Sequence, residues 1–213
     1  MKVEFSRVGP VHFQSLQLEL APVERFIGGR TLNAGCGNRD ISEHLCALGA
    51  TTVVNCDIQS RIPGAVIGPL ESLPFADGEF DCVLCNAVLE HVEHIDAVVS
   101  ELRRVLKARG FLIISIPFLQ PYHQSPRDFR RFTWEGIHQL AESHGLRVEQ
   151  LLPVHSIAQT IGWILWEHVL GKRRLWQKAI VWPIVWLMTR LVYRSDLAQL
   201  GTANTLQAVL SKE

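Results

Sequence analysis

The chain has 213 residues, of which 47% are hydrophobic, and 21 Lys and Arg balance 21 Asp and Glu. This length favours one sizeable domain over two, and the zero net charge gives no indication of a nucleic-acid partner. The five cysteines follow no framework spacing and the first residues lack the apolar segment of a signal peptide, so we expect reduced thiols and a cytoplasmic protein.

Strands and helices alternate along the first half of the chain. A lead-in helix is predicted from Gln14 to Ile27, and the strand "RTLNAG" then runs into a glycine turn. Apolar residues at helical spacing predict helices in "RDISEHLCALGA" and in "IDAVVSELRRVLKARG", the second ending at Gly110. Strands are predicted at "TTVVNCD", "GAVIG", "EFDCVLCNAV" and "FLIISIPF". This alternation of strands and helices predicts an α/β fold with a parallel sheet covered by helices on both faces.

The second half adds a helix, a strand, an apolar region and a closing strand. Thr133 is a plausible N-cap for the helix "TWEGIHQLAESHG", and "LRVEQLLPV" follows as a strand. A helical, strongly apolar region runs from about Ser156 to Tyr193, and "TLQAVLSKE" closes the chain. We therefore expect a single domain over residues 1–213. Its parts are a core at about 30–155, a helical insertion at about 156–200 and a last strand at 203–213.

Cys82 and Cys85 form a C-x-x-C spacing that suggests zinc or redox chemistry in other settings. Here both lie in the apolar strand "FDCVLCN". Residues three apart on a strand face opposite sides of the sheet, so the two thiols cannot share a metal. We expect both to pack in the core.

The turn "TLNAGCGNRD" resembles a nucleotide-binding loop but lacks the third glycine of the dinucleotide fingerprint. Gly35 and Gly37 allow a ligand to approach the backbone closely. Asp57 ends the next strand about 20 residues further on, where an acid can accept both ribose hydroxyls. The alternative is a tight turn followed by an ordinary strand-end acid. The position of Asp57 favours nucleotide binding.

Longer strings resemble a known family. "LNAGCGN", "NCDI", "ESLPFADGEFDCVLCNAVLEHV" and "ELRRVLKARGFLIISIP" follow the order and spacing of class I S-adenosylmethionine-dependent methyltransferases related to the ubiquinone and menaquinone methylases. This resemblance implies a Rossmann-like seven-stranded sheet, mostly parallel with an antiparallel last strand, and S-adenosyl-L-methionine as the cofactor. That cofactor has no pyrophosphate, so its binding does not need the third glycine of the dinucleotide fingerprint.

The resemblance also implies which residues contact the cofactor. The glycine turn would lie against the methionine part, Asp57 would hold the ribose and Ile58 would lie against the adenine. Asn33 and Pro69 stand where the family commonly has acids, which predicts weaker binding. The implied cofactor-binding residues are Asn33, Gly35, Cys36, Gly37, Asp57, Ile58, Leu70, Glu71, Asn86 and Ala87.

The segment "PYHQSPRDFRRFT" follows the fifth strand and is predicted to lie at the mouth of the site. An oxygen or nitrogen acceptor needs a base, for which His123 and Asp128 lead and His91 is third. An alternative is a solvated loop with Arg–Asp pairs, in which Arg131 supports the next helix. The residues predicted to bind substrate, through a phosphate or carboxylate where arginines are involved, are Tyr122, Arg127, Arg130 and Arg131.

The string "LEHVEHID" places Glu90, His91, Glu93 and His94 at helix-like spacings, which suggests a metal site. The pattern lacks a third fixed ligand, and methyl transfer needs no metal. We therefore expect no metal.

The apolar region before the last strand contains five of the six tryptophans and is flanked by basic residues, among them Lys172, Arg173, Arg174 and Lys178. Its uncharged run is too short to span a membrane comfortably. A helix lying in a membrane interface would suit this composition and would make the protein peripherally membrane-associated. The alternatives are a helical lid over the active site or the interface of a homodimer.

The sequence thus predicts an enzyme that transfers a methyl group to a small-molecule or lipid-like acceptor, most readily at oxygen. A non-catalytic S-adenosylmethionine-binding protein, or a scaffold that binds a membrane or a partner, is the main alternative. A nicotinamide-dependent oxidoreductase shares the Asp57 signal but lacks the full glycine fingerprint.

Overall fold

The computed structural model describes residues 11–124, 126–171, 175–191 and 199–213, with the side chains of 169–171 and 175 left aside. Seven strands form one sheet in the order β3-β2-β1-β4-β5-β7-β6. Strands β1 to β5 are parallel, and β7 runs antiparallel to both β5 and β6. This confirms the predicted fold. The strands are β1 Gly29–Ala34, β2 Ala50–Asp57, β3 Val66–Ile67, β4 Phe80–Asn86, β5 Leu106–Pro117, β6 Leu146–Val154 and β7 Thr205–Lys212.

Apolar side chains cover both faces of this sheet. Cys82 and Leu84 of β4 pack in one buried cluster, and Val83 and Cys85 pack in the other. All five cysteines are free. The prediction that Cys82 and Cys85 face opposite sides of the core is therefore confirmed. The α-helices are α1 Leu16–Leu20, α2 Ser42–Ala47, α3 Ile95–Val105, α4 Trp134–Ser143, α5 Ile157–Gly171 and α6 Leu175–Leu191.

The lead-in segment is not the single helix predicted from Gln14 to Ile27. Helix α1 ends at Leu20, and a 3₁₀ turn follows over Ala21–Phe26. Pro22 is the reason, because its ring fixes the backbone and removes the N–H that would continue the α-helix.

The prediction that the next long helix ends at Gly110 was also wrong. Helix α3 ends at Val105, and β5 begins with Leu106 paired to Phe80 of β4. The pairing resumes between Phe111 and Cys82, so the residues between bulge out of the ladder. The buried Leu106 completes the core, which outweighs the helical periodicity that continues past Val105.

Helix α4 begins as predicted. The Thr133 side chain accepts a hydrogen bond from the Gly136 N–H, which confirms the N-cap.

Helices α5 and α6 form a pair between β6 and β7. A Cβ on Gly162 of α5 would lie 2.8 Å from Thr189 and 3.2 Å from Val185 of α6, so glycine permits this close approach. Trp163 and Val185 are buried in a small cluster with Val11. None of the helices in the part of the chain that the structure describes has the length and hydropathy needed to span a bilayer. Lys172, Arg173, Arg174 and Tyr193, named in the sequence-based prediction, lie outside the described residues.

Candidate functional site

The carboxyl ends of β1 and β2 bring the glycine turn and Asp57 together. Gly35 and Gly37 have φ of 74° and 58°, a left-handed backbone that glycine adopts readily. A Cβ on Gly35 would lie 2.4 Å from Val88, whereas the space beside Gly37 is open. The Asp57 carboxylate accepts hydrogen bonds from the Gly37 and Gln59 N–H groups at 2.8 and 2.9 Å. The loop is thus held against the strand-end acid.

Asn33 lies two residues before Gly35, within strand β1. Its side-chain amide donates to Asn55 Oδ1 at 2.8 Å, and the Asn55 amide donates to Ser42 at 2.9 Å. Asn33 is buried, and it is bound to β2.

The remaining predicted cofactor residues surround the same edge. Ile58 is 69% exposed, Leu70 is buried and Glu71 is half-buried. Cys36 is buried beside Ser60, and burial raises the pKa of its thiol. Asn86, the last residue of β4, is half-buried. Ala87 has a φ of 54°, and its N–H donates to the Ser115 carbonyl of β5 at 2.9 Å.

Three titratable side chains meet beyond β4 and β5. The Nε2 atoms of His91 and His123 lie 3.7 and 3.9 Å from Glu90 Oε1. His91 Nδ1 contacts the Arg127 carbonyl at 2.5 Å, and His123 Nδ1 contacts the Pro121 carbonyl at 3.1 Å. Residues 89–94 of the "LEHVEHID" string lie in turns and loop instead of the helix implied by their spacing, and α3 begins at Ile95. We call Glu90, His91 and His123 the histidine cluster.

Burial sets the electrostatics of the cluster. Glu90 is fully buried, and this burial raises its pKa to about 7. Burial likewise lowers the pKa of His91. Each group is thereby pushed toward its uncharged form.

Asp128, predicted as a base, is held in a tight ion pair. Its two oxygens accept hydrogen bonds from Arg131 at 2.5 and 2.7 Å, and Oδ2 also accepts one from the His123 backbone N–H at 2.7 Å. Burial acts to raise the pKa of Asp128, but the bonds from Arg131 and His123 outweigh it and lower the pKa to about 2. A carboxylate with so low a pKa is a weak base, and it is well placed to position His123.

The other predicted substrate residues differ in exposure. Arg130 donates to the Glu93 carbonyl at 2.8 Å and thereby fixes the turn after β4. The Arg127 side chain is 68% exposed and pairs with the exposed Glu93 at 3.1 Å, and Tyr122 is 67% exposed. Arg127 and Tyr122 are therefore accessible to a ligand.

Helix α5 covers one side of the histidine cluster. The ring of Trp163 lies 5.3 Å from that of His123, centroid to centroid. Trp163 also packs edge-on against Phe13 at 5.7 Å. Helix α5 thus places an apolar ring directly beside the histidine cluster.

Residues 32–114 match a family model described as a methyltransferase domain. A protein of Mycolicibacterium smegmatis, named as a probable S-adenosylmethionine-dependent methyltransferase, is 28% identical over 150 residues, covering 61% of this chain and 56% of that protein. These matches support a class I S-adenosylmethionine-dependent methyltransferase. S-adenosylmethionine is the cofactor of this class.

Other proteins similar to this chain are matched over different shares of its length. A ubiquinone biosynthesis O-methyltransferase of Xanthomonas oryzae pv. oryzae is 31% identical over 117 residues, covering 48% of this chain and 46% of that protein. The crystal structure of a Burkholderia thailandensis 1,6-didemethyltoxoflavin-N1-methyltransferase with bound S-adenosylhomocysteine shares the fold. Its TM-score is 0.59 at 14% identity, covering 92% of this chain and 79% of that one. The chain spans about half the length of these curated relatives.

From the sequence, Glu90 was considered only as part of a possible metal pattern and was assigned no role in the site. Its "EH" pair with His91 was visible, but the second histidine comes from the loop after β5. The only available signal was that both segments follow strands that a parallel α/β sheet places side by side.

Proposed function

We propose that this methyltransferase transfers a methyl group from S-adenosylmethionine to an oxygen of a small-molecule or lipid-like acceptor. The observation that carries the proposal is the proximity of two parts of one sheet edge. The glycine turn with Asp57 follows β1 and β2, and the histidine cluster follows β4 and β5. Ligands of open α/β sheets bind at this edge.

The residues of the glycine turn fit this cofactor. Asp57 keeps unused lone pairs for ribose hydroxyls while its two backbone bonds fix its position. The open space beside Gly37 lets a ligand approach the backbone. Cys36, Ile58, Leu70, Glu71, Asn86 and Ala87 remain proposed contacts around it. We assign Asn33 an indirect part, because its amide is bound to Asn55.

The histidine cluster is the proposed acceptor end of the site. When bound, the cofactor supplies a methyl group on a positively charged sulfur; its transfer to a hydroxyl forms an O–C bond, breaks an S–C bond and leaves one proton to be removed. His123 and His91 present ring nitrogens that can accept this proton when no ion is bound. Asp128 positions His123, and Arg127 is the exposed cation that can bind an acidic group of the acceptor.

The exposed apolar face of α5 and α6 supports a lipid-like acceptor and contact with a membrane surface. Lys178 and Arg190 border this face, and Arg190 lies over the Trp186 ring at 5.4 Å. The large hydrophobic side chains described in α5 and α6 that are 40% exposed or more are Ile157, Ile161, Ile164, Leu165, Trp176, Ile180, Trp182, Ile184, Leu187 and Leu191.

Two measurements test the proposal. Calorimetry with S-adenosylhomocysteine is expected to give one binding event per chain, and a dinucleotide is expected to give none. Incubation with methyl-labelled S-adenosylmethionine and separated lipid and water-soluble extracts is expected to label a product whose methyl group is on oxygen. Absence of S-adenosylhomocysteine binding would overturn the proposal. Binding without transfer to any fraction would instead favour the non-catalytic scaffold.

A further inference from the structure

The histidine cluster brings three potential metal-binding atoms together from two loops. Glu90 and His91 follow β4, and His123 follows the neighbouring strand β5. One carboxylate oxygen and one nitrogen from each ring all lie within 4.8 Å of one another. Four-coordinate zinc places its ligand atoms about 3.4 Å apart, given Zn–N bonds of about 2.0–2.1 Å. Small side-chain rotations would therefore suffice to reach that spacing.

The hydrogen bonds of His91 leave a lone pair facing the cluster. Its Nδ1 lies 2.5 Å from the Arg127 carbonyl, which can only accept. The proton of a neutral His91 ring is therefore on Nδ1. Its Nε2, 3.7 Å from Glu90, then carries a lone pair.

His123 is fixed in the same way. Its Nδ1 lies 3.1 Å from the Pro121 carbonyl and 3.4 Å from Arg131 Nη2. Both hydrogens of that Nη2 already have acceptors at 2.8 and 2.7 Å, namely the Pro121 carbonyl and Asp128. His123 Nδ1 therefore donates to the carbonyl, and its Nε2 is left with a lone pair 3.9 Å from Glu90. Backbone carbonyls that orient two imidazoles in this manner are typical outer partners of metal-binding histidines.

Glu90 supplies the observation that points to a ligand. Its side chain is fully buried, and neither oxygen accepts a hydrogen bond from another described residue. Burying a carboxylate without a partner is costly. Three electron-pair donors thus converge with no hydrogen-bond donor between them. A cation would satisfy all three at once.

We propose that Glu90, His91 and His123 bind one divalent transition-metal ion of the zinc type. Two imidazoles and one carboxylate suit such ions and leave a coordination position open. This proposal replaces the sequence-based expectation that the chain holds no metal.

The metal site stands on this geometry, whereas its part in methyl transfer rests on the proposed function. A hydroxyl bound at the open position would have a lowered pKa, so its proton would leave to water. His91 and His123 would then act as ligands and would not need to accept that proton. Helix α5 limits access from one side through Trp163.

The test uses the full chain, freed of metal by a chelator and then titrated with Co²⁺ and, separately, Zn²⁺. We expect one ion per chain and a Co²⁺ absorption spectrum without thiolate charge-transfer bands. Glu90→Gln and His123→Gln are expected to weaken binding at least about tenfold, the loss typical of an altered metal shell. Matched controls are His94→Gln, an exposed histidine of the same segment, and Cys46→Ser, an exposed thiol; both are expected to bind as the parent does.

Nuclear magnetic resonance of the unaltered chain tests the site even if the substituted chains fail to fold. Zn²⁺ is expected to shift the ring signals of His91 and His123 and to leave that of His138 unchanged. Absence of stoichiometric binding, or equal binding by Glu90→Gln, would overturn the metal site. Calorimetry with S-adenosylhomocysteine separates this outcome from failure of the proposed function, since it reports on cofactor binding and not on metal binding.

Discussion

At the scale of single residues, Gly37 tests whether the open space beside the glycine turn binds the cofactor. In Gly37→Ala the added methyl would occupy that space and strain a backbone with φ of 58°. We expect a stability loss of about 1–2 kcal/mol from the strain. Binding of S-adenosylhomocysteine should also weaken at least about tenfold, or about 1.4 kcal/mol. Calorimetry measures the binding, and urea unfolding measures the stability.

Gly78→Ala is the matched control for this prediction. Gly78 has a similar φ of 65°, and its added Cβ would meet only Lys107 at an ordinary 3.8 Å. Gly78 precedes β4, at the opposite edge of the sheet from the glycine turn. It should lose comparable stability and keep full affinity. Equal affinity of the two variants would show that the space beside Gly37 is not the cofactor site.

At the scale of elements, Arg104 joins α3 to the loop before β4. Its guanidinium donates to the Leu73 and Phe75 carbonyls at 3.0 and 2.8 Å and to Glu101 at 2.7 and 2.9 Å. Arg104→Gln would leave these acceptors short of donors. We expect the free energy of unfolding to fall by about 1–3 kcal/mol. Urea denaturation measures it.

Arg103→Gln provides the comparison for Arg104. Arg103 is the neighbouring arginine, and its side chain makes one long hydrogen bond of 3.4 Å to the Gly145 carbonyl. We expect its replacement to change stability by about 0.5 kcal/mol or less. Similar losses in both variants would mean that the Arg104 contacts do not hold the loop.

At the scale of the whole molecule, stability should fall in acid. Hydrogen bonds from Arg104 lower the pKa of Glu101 below its ordinary 4.5, and those from Lys107 lower the pKa of Asp81 below 3.8. The unfolded chain therefore binds more protons than the folded one at pH below these ordinary values. The stabilisation is fully present above about pH 4.5 and is lost as pH falls through the folded-state pKa values.

Glu101→Gln tests this pH dependence directly. The variant lacks the carboxylate, so its unfolding free energy should decline less steeply between about pH 5 and pH 3 than that of the parent. Urea unfolding at a series of pH values gives both slopes. Parallel slopes would remove Glu101 as a source of the acid sensitivity.

The apolar face of α5 and α6 makes a second prediction for the whole molecule. If it contacts a lipid surface, the protein should sediment with vesicles that contain anionic lipid, and less so at high salt. Replacing Trp182 and Leu187, which are 43% and 52% exposed, with Glu should abolish sedimentation. Leu18→Glu, an exposed leucine on α1, should not. Sedimentation that is absent in the parent, together with dimers in solution, would favour the dimer interface instead.

The sequence by itself determined the sheet and the position of the glycine turn. Strand periodicity is local, so β4 could be recognised and Cys82 and Cys85 assigned to opposite faces. The turn with Gly35 and Gly37 and the strand-end Asp57 were also readable, because fixed spacing along the chain places them at one sheet edge. Helix ends were less predictable: the proline after α1 and the burial of Leu106 each overrode the helical periodicity.

Only the tertiary structure decided that His91 and His123 lie together beside Glu90. Glu90 and His91 are adjacent in sequence, but His123 reaches them because β5 pairs with β4 and both loops leave the same edge. The burial of Glu90 and the carbonyl partners of the two rings depend on packing between segments far apart in the chain. Local sequence patterns do not predict packing between distant segments. The same holds for Asp128: the sequence left open whether it is a base or the partner of an arginine, and in the fold it is bound to Arg131.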